Sequence, residues 1–385
     1  MNSPAFEPSL DGVVQVFGDN FTSRDELGAS VSVWHHGVEV LSLAAGFCGK
    51  DETRPWCPDS LVAFWSATKG LAAASLLHLL DASNIEFGVP VASVWPEFAR
   101  AGKSAVSFEL ILSHQAGLPA LDREVSIFDH AAVISAIEEQ QPLWEPGSRH
   151  GYHPRIFGFL LEEIVRRLTG IGLGSYFRRE FGEPLGLDVW IGLPEAEHDR
   201  VATLYPGGMF DPQGEADFYR AFGDPQSLTR RAFASPAGLA AISGMNSPAA
   251  WNAGWPALGG IGTACGLAKF YAMLAGGGAW EGKRYFPAEV LRRMSAVLVS
   301  GRDAVFCMDT AFSAGFMKDA PGSGRRRMFG RSDLSFGHPG AGGSLAFADP
   351  GNSLAFAYTM NRMSYGILPG AKALDMVGAL YGLGH

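Results

Sequence analysis

The apolar and polar positions near both ends of the chain follow the two-residue period of β-strands. Residues 29–35 and 38–45 alternate around His36-Gly37, which predicts an antiparallel hairpin. Helical spacing is found outside the strands, at residues 10–21 and 371–380. Strands at both ends of the chain with flanking helices predict an α+β fold built on one antiparallel sheet. Further strands are predicted towards the C-terminus, at residues 312–317, 335–338, 344–348 and 354–360.

The middle of the chain has a largely helical pattern, interrupted by glycine and proline at 117–119 and 145–147. We therefore expect two lobes, an α/β lobe formed by residues 1–85 and 230–385 and a mostly helical inserted lobe formed by residues 86–229. A small-molecule site is expected in the cleft between such lobes. The helices predicted in and beside this region comprise residues 66–82, 108–112, 131–139, 156–168, 176–181 and 266–275.

Composition narrows the class of protein. The 385 residues are 47% hydrophobic and 18% charged, which is typical of a globular chain and argues against disorder. The net charge is −9, and the short basic cluster Arg325-Arg326-Arg327 lies between glycines, so we interpret it as a solvated loop. Neither a nucleic acid nor an anionic membrane surface is therefore expected as a partner. A small molecule is the expected partner, and a homo-oligomer is left open.

The first residues and the cysteines indicate the cellular compartment in which the protein is expected. Residues 1–7 lack the basic and apolar regions of a signal peptide, and the longest apolar run, 71–80, is too short to cross a bilayer. We therefore expect a cytoplasmic protein. The four cysteines match no zinc-binding spacing, and reduced thiols are expected, although Cys48 and Cys57 could meet across a loop. No metal or organic cofactor is expected.

The sequence F-W-S-A-T-K-G at residues 64–70 places a hydroxyl and an amine close together. Ser66 and Lys69 are three residues apart at the start of a predicted helix, so the amine can reach the serine oxygen and help to remove its proton. The surrounding segment 61–80 is almost uncharged, which favours burial of Lys69 and a lowered pKa. The alternative interpretation is a helix-capping serine beside a surface lysine.

Two further segments carry candidate chemistry. Pro146-Gly147 leads to Tyr152 on a loop, where a nearby ammonium would stabilise a phenolate and allow general acid and base catalysis. A structural tyrosine is the alternative. The run G-H-P-G-A-G-G-S at residues 337–344 lies between two predicted strands, where glycines let backbone N–H groups approach a ligand; a plain glycine-rich hairpin is the alternative. We interpret His114 as bracing a turn and His35-His36 as part of a hairpin.

Taken in order, S-x-x-K, the tyrosine and H-x-G resemble the motifs of the serine β-lactamase and penicillin-binding-protein superfamily. Class C β-lactamases and the family VIII carboxylesterases that share their fold are the most similar groups. The likeness extends over residues 29–360. The run 110–118 looks like the family's L-L-S-H-x-x-G-L, and the run 337–350 looks like its G-H-x-G-A-G-G-S-x-x-F-A-D-P.

The resemblance implies a role for each matching residue. Ser66 would be the acylated nucleophile and Lys69 its activating partner, while Tyr152 would pass a proton to the leaving group and later activate water. The backbone N–H groups of Ser66 and Ala341 would form the oxyanion hole. The segment 338–340 would hold the place of the family's K-T-G strand. The residues expected to contact substrate are His338, Pro339, Gly340, His153, Trp65 and Trp255.

Two departures from the family's pattern narrow the expected activity. Tyr152-His153-Pro154 replaces the family's Tyr-x-Asn, so the amide that grips the acylamino group of a β-lactam is missing. His338 replaces a lysine, and a mostly neutral imidazole attracts a substrate carboxylate less than an ammonium does. We therefore expect a serine hydrolase that cleaves small, neutral carboxylic esters through an acyl-enzyme on Ser66. The alternatives are a D-amino-acid peptidase or amidase, an acyltransferase, a weak β-lactamase and a non-catalytic binding protein of the same fold.

Overall fold

A large antiparallel sheet forms the centre of the structure, a computed structural model that describes residues 6–207, 215–239 and 241–382. The strands are β1 (Gly28–His35), β2 (Val38–Gly46), β3 (Val62–Ala63), β4 (Val189–Ile191), β5 (Gly260–Gly262), β6 (Ala279–Trp280), β7 (Lys283–Arg284), β8 (Val299–Arg302), β9 (Asp309–Phe312), β10 (Met317–Lys318), β11 (Phe336–Pro339), β12 (Leu345–Asp349) and β13 (Leu354–Met360). Eight of them form the large sheet, in the order β2-β1-β13-β12-β11-β10-β9-β8.

Helices surround this sheet and fill the middle of the chain. The α-helices are α1 (Leu10–Ser23), α2 (Thr68–Ala82), α3 (Phe108–Leu112), α4 (His130–Glu139), α5 (Ile156–Thr169), α6 (Leu173–Phe177), α7 (Ala216–Gly223), α8 (Leu228–Ala234), α9 (Pro248–Ala253), α10 (Ala264–Ala275), α11 (Ala288–Ser295) and α12 (Ala371–Leu380). Helix α10 packs against β1, β12 and β13, and α1 packs against α12. The predicted α+β fold with N- and C-terminal helices is therefore confirmed.

The two ends of the chain meet near one edge of the large sheet, where β1 and β13 are its second and third strands. Strands β1 and β13 pair along their length, from Ala29 opposite Met360 to His35 opposite Leu354. Every residue of both strands is buried, so neighbouring elements cover both faces of this part of the sheet. The predicted hairpin is also present, with the left-handed His36 (φ +51°) and Gly37 in the turn between β1 and β2.

Ser66 lies between a small sheet and a buried helix. Strand β5 pairs with both β3 and β4, and a 3₁₀ turn, Trp65–Ala67, leads from β3 into α2. The sequence predicts a helix from residue 66, whereas the regular α-helix begins at Thr68. Helix α2 is buried on nearly all sides and packs on α5 and α6, as expected for a helix that is apolar all round.

Some predicted boundaries differ from the structure for local reasons. The strand predicted at 312–317 is interrupted, because the chain reverses between β9 and β10 with the Ser313 N–H donating to the Phe316 carbonyl. Gly315 in this turn has φ +82°, and a Cβ there would lie 2.2 Å from Ala73 of α2. The helix predicted at 176–181 begins earlier, as α6, and continues into a π turn at 178–182.

The structure also bears on the cysteines and on membranes. All four cysteines have free thiols, with Cys48 buried and Cys57 exposed, so these two are not paired. Among the described helices, none is both long and apolar enough to cross a membrane. Residues 1–5, which belong to the N-terminal segment considered above, lie outside the described residues. The division into lobes at residues 85/86 and 229/230 stays a prediction.

Candidate active site

The structure brings the side chains of Ser66 and Lys69 together at the start of α2. The Lys69 Nζ lies 3.4 Å from the Ser66 Oγ. The same nitrogen donates hydrogen bonds to the carbonyl oxygens of Pro154 and Ala257, both at 2.8 Å. Lys69 has no solvent-exposed surface, and it forms no ion pair with a carboxylate of the described residues. The lysine is thus held by two neutral acceptors and the serine.

Burial favours the neutral form of Lys69. Removal of the ammonium from water lowers the pKa of Lys69 well below its usual value. A neutral amine has two N–H donors and one lone pair. In the ammonium, the third N–H donates to the Ser66 Oγ. In the neutral amine, the carbonyls of Pro154 and Ala257 keep the two donors, and the lone pair takes the position that faces the Ser66 Oγ. This arrangement allows Lys69 to accept the serine proton.

Tyr152 lies on the loop before α5, and its phenol is hydrogen-bonded to Ser66. The Lys69 Nζ is 4.7 Å from the centre of the tyrosine ring. The sequence places this tyrosine on a loop rather than in a core, but its side chain is buried and stacks on Phe306 with 4.5 Å between ring centres. Burial raises the pKa of Tyr152 and outweighs the opposite effect of the hydrogen bond with Ser66. The resting group is therefore a phenol rather than the expected phenolate.

Two residues fix the position of the tyrosine loop. The His114 carbonyl accepts from the Gly151 N–H at 3.1 Å, and its Nδ1 accepts from the His153 N–H at 3.2 Å. Both oxygens of the Asp303 carboxylate accept from the Tyr152 N–H, each at 3.1 Å. Backbone groups at three consecutive positions are therefore held, and the phenol is kept against Ser66.

The sequence indicates only part of this support. It predicts that His114 braces a turn, and in the structure the braced segment is the loop of Tyr152. The backbone of His114 itself is left-handed, with φ +60°. Asp303 was not identified, because no local motif marks a carboxylate that acts 151 residues away from its partner. Its oxygens also accept from the N–H groups of Val305 and Phe306 at 2.7 and 2.8 Å.

The backbone N–H groups of Ser66 and Ala341 are suited to an oxyanion hole. Both residues line the same cavity, and neither N–H donates to a carbonyl among the described residues. The end of β11 lies against the nucleophile segment, since a Cβ on Gly340 would be 2.1 Å from the Phe64 carbonyl oxygen. Trp65, directly before Ser66, has φ +49°, a conformation that aromatic residues rarely adopt. Strain of this kind is common at functional sites.

Ser66 opens into a cavity of about 860 Å³. The size is within the range of small-molecule sites. The sequence expected Trp65 in such a pocket, and the structure places it in the wall. Apolar side chains form most of this wall, among them Trp65, Phe218, Phe222, Phe233, Leu258 and Met363.

The structure does not bring every expected substrate contact to this cavity. His153 is buried, and both of its ring nitrogens are occupied, since Nε2 accepts from the Leu118 N–H at 2.9 Å and Nδ1 donates to the Gly151 carbonyl at 2.7 Å. Trp255 lines a different groove and donates to the Ile127 carbonyl at 3.0 Å. Both side chains are therefore held by backbone groups away from Ser66.

The segment 338–340 is buried behind the cavity wall, which begins at Ala341. The His338 Nδ1 donates to the Pro339 carbonyl at 2.8 Å, so the proton resides on Nδ1. Its Nε2 is buried and has no hydrogen-bond partner among the described residues. Burial is the main cause that lowers the pKa of His338 to about 3, and Lys69 lowers it further whenever its amine carries a proton. The imidazole is neutral, and it cannot supply the positive charge that a lysine would supply at this position.

The fold and the site can be compared with known proteins. The Beta-lactamase family model matches residues 11–375. This chain belongs to the Beta-lactamase family. The predicted resemblance to this superfamily is thereby confirmed, and the protein is a hydrolase of the β-lactamase fold.

Relatives of this Beta-lactamase family member are found among both sequences and structures. The chain is 30% identical over 370 residues to "Esterase/beta-lactamase LipL" of Mycobacterium tuberculosis (strain ATCC 25618 / H37Rv), which covers 93% of this chain and 82% of that protein. A solved family VIII carboxylesterase is 32% identical, with a TM-score of 0.87 over 99% of each chain. A penicillin-binding protein homologue from Caulobacter crescentus is 34% identical, with a TM-score of 0.84 over 99% of each chain.

Proposed function

We propose that the protein is a serine carboxylesterase that hydrolyses small carboxylic esters through an acyl-enzyme on Ser66. The observation that carries the proposal is the contact of the Ser66 hydroxyl with a buried amine, Lys69, and a buried phenol, Tyr152, at an apolar cavity. Similarity to a carboxylesterase and to an esterase/β-lactamase supports it. The expected substrate is a small molecule of the size of the cavity.

Acylation requires a base, an oxyanion hole and an acid. Ser66 Oγ attacks the ester carbonyl while its proton passes to the neutral Lys69 Nζ. The backbone N–H groups of Ser66 and Ala341 hold the negative oxygen that forms. As the bond to the alcohol breaks, Tyr152 donates its phenolic proton to the departing oxygen. The products of this step are the free alcohol, the acyl-enzyme, an ammonium on Lys69 and a phenolate on Tyr152.

The new charges stabilise one another and prepare the second step. An ammonium beside the phenol lowers the pKa of Tyr152, which burial raises in the resting enzyme. The phenolate then takes a proton from water as the water attacks the acyl carbonyl. When the acyl group leaves Ser66, Oγ recovers its proton from Lys69. Both groups return to their neutral resting forms, and the proton balance closes.

Esters are favoured over β-lactams by two features of the site. The family's asparagine two positions after the tyrosine is replaced by Pro154, whose carbonyl is used to bind Lys69. His338 is neutral and buried, so this position supplies no positive charge for the carboxylate of a β-lactam. Both features weaken contacts that a neutral ester does not need.

The proposal is tested with purified protein and short-chain p-nitrophenyl esters. Ser66→Ala removes the only atom that can form the acyl-enzyme, so we expect turnover to fall by at least about 10⁴-fold, to the scale seen when such nucleophiles are lost. Mass spectrometry of the quenched wild-type enzyme should show the acyl group on the peptide that contains Ser66. A panel of esters, D-amino-acid amides and nitrocefin compares the substrate classes.

The matched control is Ser75→Ala, on the same helix. The Ser75 hydroxyl donates to the Leu71 carbonyl within α2 and takes no part in the site, so ester turnover should be retained. Unchanged turnover in Ser66→Ala would refute the assignment of the nucleophile. Faster cleavage of D-amino-acid amides or nitrocefin than of any ester would refute the substrate class while leaving the acyl-enzyme in place.

A further inference from the structure

The charged side chains that the structure describes in the cavity wall are all positive. Among the described residues that line it, the charged side chains are those of Arg155 and Arg230, and no aspartate or glutamate is present. The chain as a whole has a net charge of −9, so this wall has the opposite sign to the molecule. A positive cavity in an acidic protein attracts an anion that the rest of the surface repels.

Arg155 is a fixed part of this wall. Its guanidinium donates to the carbonyl oxygens of Pro236 and Leu239, the latter at 2.6 Å, and thereby holds the segment 236–239 that lines the cavity. Burial, together with the positive charge of Arg230, lowers the pKa of Arg155 to about 10. Both arginines line the cavity, and neither forms an ion pair with a carboxylate of the described residues.

Arg230 is the exposed member of the pair. Its guanidinium carbon lies 5.1 Å from the centre of the Phe222 ring, also in the cavity wall. It forms no ion pair with a carboxylate of the described residues, whereas the adjacent Arg231 pairs with Asp122 at 2.7 Å. Packing on Phe222 explains where the Arg230 side chain lies. It does not explain why the charge of Arg230 has no ion-pair partner among the described residues although Arg155 lies in the same wall.

We propose that Arg230 binds a carboxylate on the ester substrate, placed away from the bond that is cleaved, so that the natural substrates are half-esters or comparable anionic esters. This inference rests on the proposed function and specifies its substrate class. An arginine presents a planar pair of N–H donors that matches a carboxylate, and Phe222 orients that plane. Arg155 adds a second positive charge to the same wall.

The positive charge of Arg230 lies at a different place from the lysine of the family's K-T-G strand, which His338 replaces here. His338 is neutral and buried beside the oxyanion hole, so a carboxylate next to the reacting carbonyl gains nothing there. Arg230 instead lies on α8, which contributes Phe233 and Ala234 to the apolar wall. The cavity therefore fits an ester with an apolar spacer between its carbonyl and its anionic group.

Binding is measured first, because it needs no turnover. In the Ser66→Ala background, calorimetry compares p-nitrophenyl monoesters of glutaric, adipic and suberic acid with p-nitrophenyl esters of fatty acids of equal length. A second set places the anion on the alcohol side, as butyryl esters of 6-hydroxyhexanoate and of hexanol. We expect the anionic member of at least one pair to bind about fivefold more tightly, as for a favourable exposed ion pair, and this preference to decrease with added salt.

The variant Arg230→Gln should bring the ratio of the two affinities close to one. Arg220→Gln is the matched control, because Arg220 is an exposed arginine on α7 that pairs with Asp217 and does not line the cavity. A ratio at or below one for every pair, or a preference that survives in Arg230→Gln, would overturn the inference. Neutral-ester turnover by the wild-type enzyme tests the proposed function separately, so the two can fail independently.

Discussion

Lys69 is a residue whose chemistry is set almost entirely by what surrounds it. Its amine is buried, its two carbonyl partners carry no charge, and its remaining hydrogen bond among the described residues is with the Ser66 hydroxyl. The sequence predicted both the burial and the lowered pKa, because residues 61–80 are almost uncharged. It could not predict which oxygens would accept from Lys69, since Pro154 and Ala257 are 85 and 188 residues away in the chain.

The catalytic rate should therefore depend on pH through Lys69. Because only the neutral amine can accept the serine proton, kcat/KM should fall as the pH is lowered through the pKa of Lys69, and should level off above it. Burial lowers the pKa of His338 and of His153 to about 3, so these imidazoles stay neutral over the range of the assay. Lys69→Arg keeps a permanent charge and should reduce kcat/KM by about 10²–10⁴-fold at every pH.

Measurement of kcat/KM for a p-nitrophenyl ester between pH 5 and 9, corrected for spontaneous hydrolysis, checks both expectations. Lys269→Arg is a suitable control, because this lysine lies on α10 above the ring of Trp280 and away from Ser66. If Lys69→Arg kept more than a tenth of the activity, the neutral amine would not be the base.

At the scale of elements, the site depends on how closely β11 approaches the turn before α2. Gly340 contacts the Phe64 carbonyl so closely that no side chain fits between them. The sequence predicted a close backbone approach from the glycines at 337–344, and the helices and strands nearest the motifs were predicted within a few residues. It missed β3, β4 and β5, because strands of two or three residues have no measurable period.

We expect Gly340→Ala to lower kcat in a protein that still folds. The added Cβ would lie 2.1 Å from the Phe64 oxygen, so β11 or the nucleophile turn must move, and the Ala341 N–H moves with it. Loss of one oxyanion donor lowers kcat by about 10²–10³-fold, and we expect a decrease of this size. Ester kinetics together with circular dichroism would check it.

Gly88→Ala is the control for this variant, because an added Cβ there meets no atom within 4 Å. It should leave kcat unchanged. Normal kcat in a folded Gly340→Ala protein would show that the position of the Ala341 N–H is not important for the reaction.

At the scale of the whole molecule, stability depends on a sheet that joins the first and last parts of the chain. Phe356 on β13 is fully buried and stacks on Phe347 of β12, its direct cross-strand partner, with 5.5 Å between ring centres. The sequence predicted this sheet from strands at both ends. It could not give their order across the sheet, because order depends on long-range packing rather than on local period.

Phe356→Ala should destabilise the sheet and the active site together. Removal of a buried phenylalanine lowers the free energy of unfolding by about 3–5 kcal/mol. Denaturant unfolding followed by fluorescence and by residual esterase activity should show both signals shifting to the same lower midpoint. Leu334→Ala, at a position that is 52% exposed, should shift neither. Activity that survived unfolding of the sheet would show that the site is stable without it.

The pairing of β1 with β13 has a consequence for biosynthesis. A ribosome releases β1 and Ser66 early, yet β1 has no neighbour on one side until almost the last residues emerge. Ala341, the second oxyanion donor of the proposed mechanism, also arrives late, so a partly translated chain contains Ser66 without the rest of the proposed site. Premature termination before β13 would yield an inert polypeptide with an open sheet edge, which makes it a substrate for chaperones and proteases rather than a weaker enzyme.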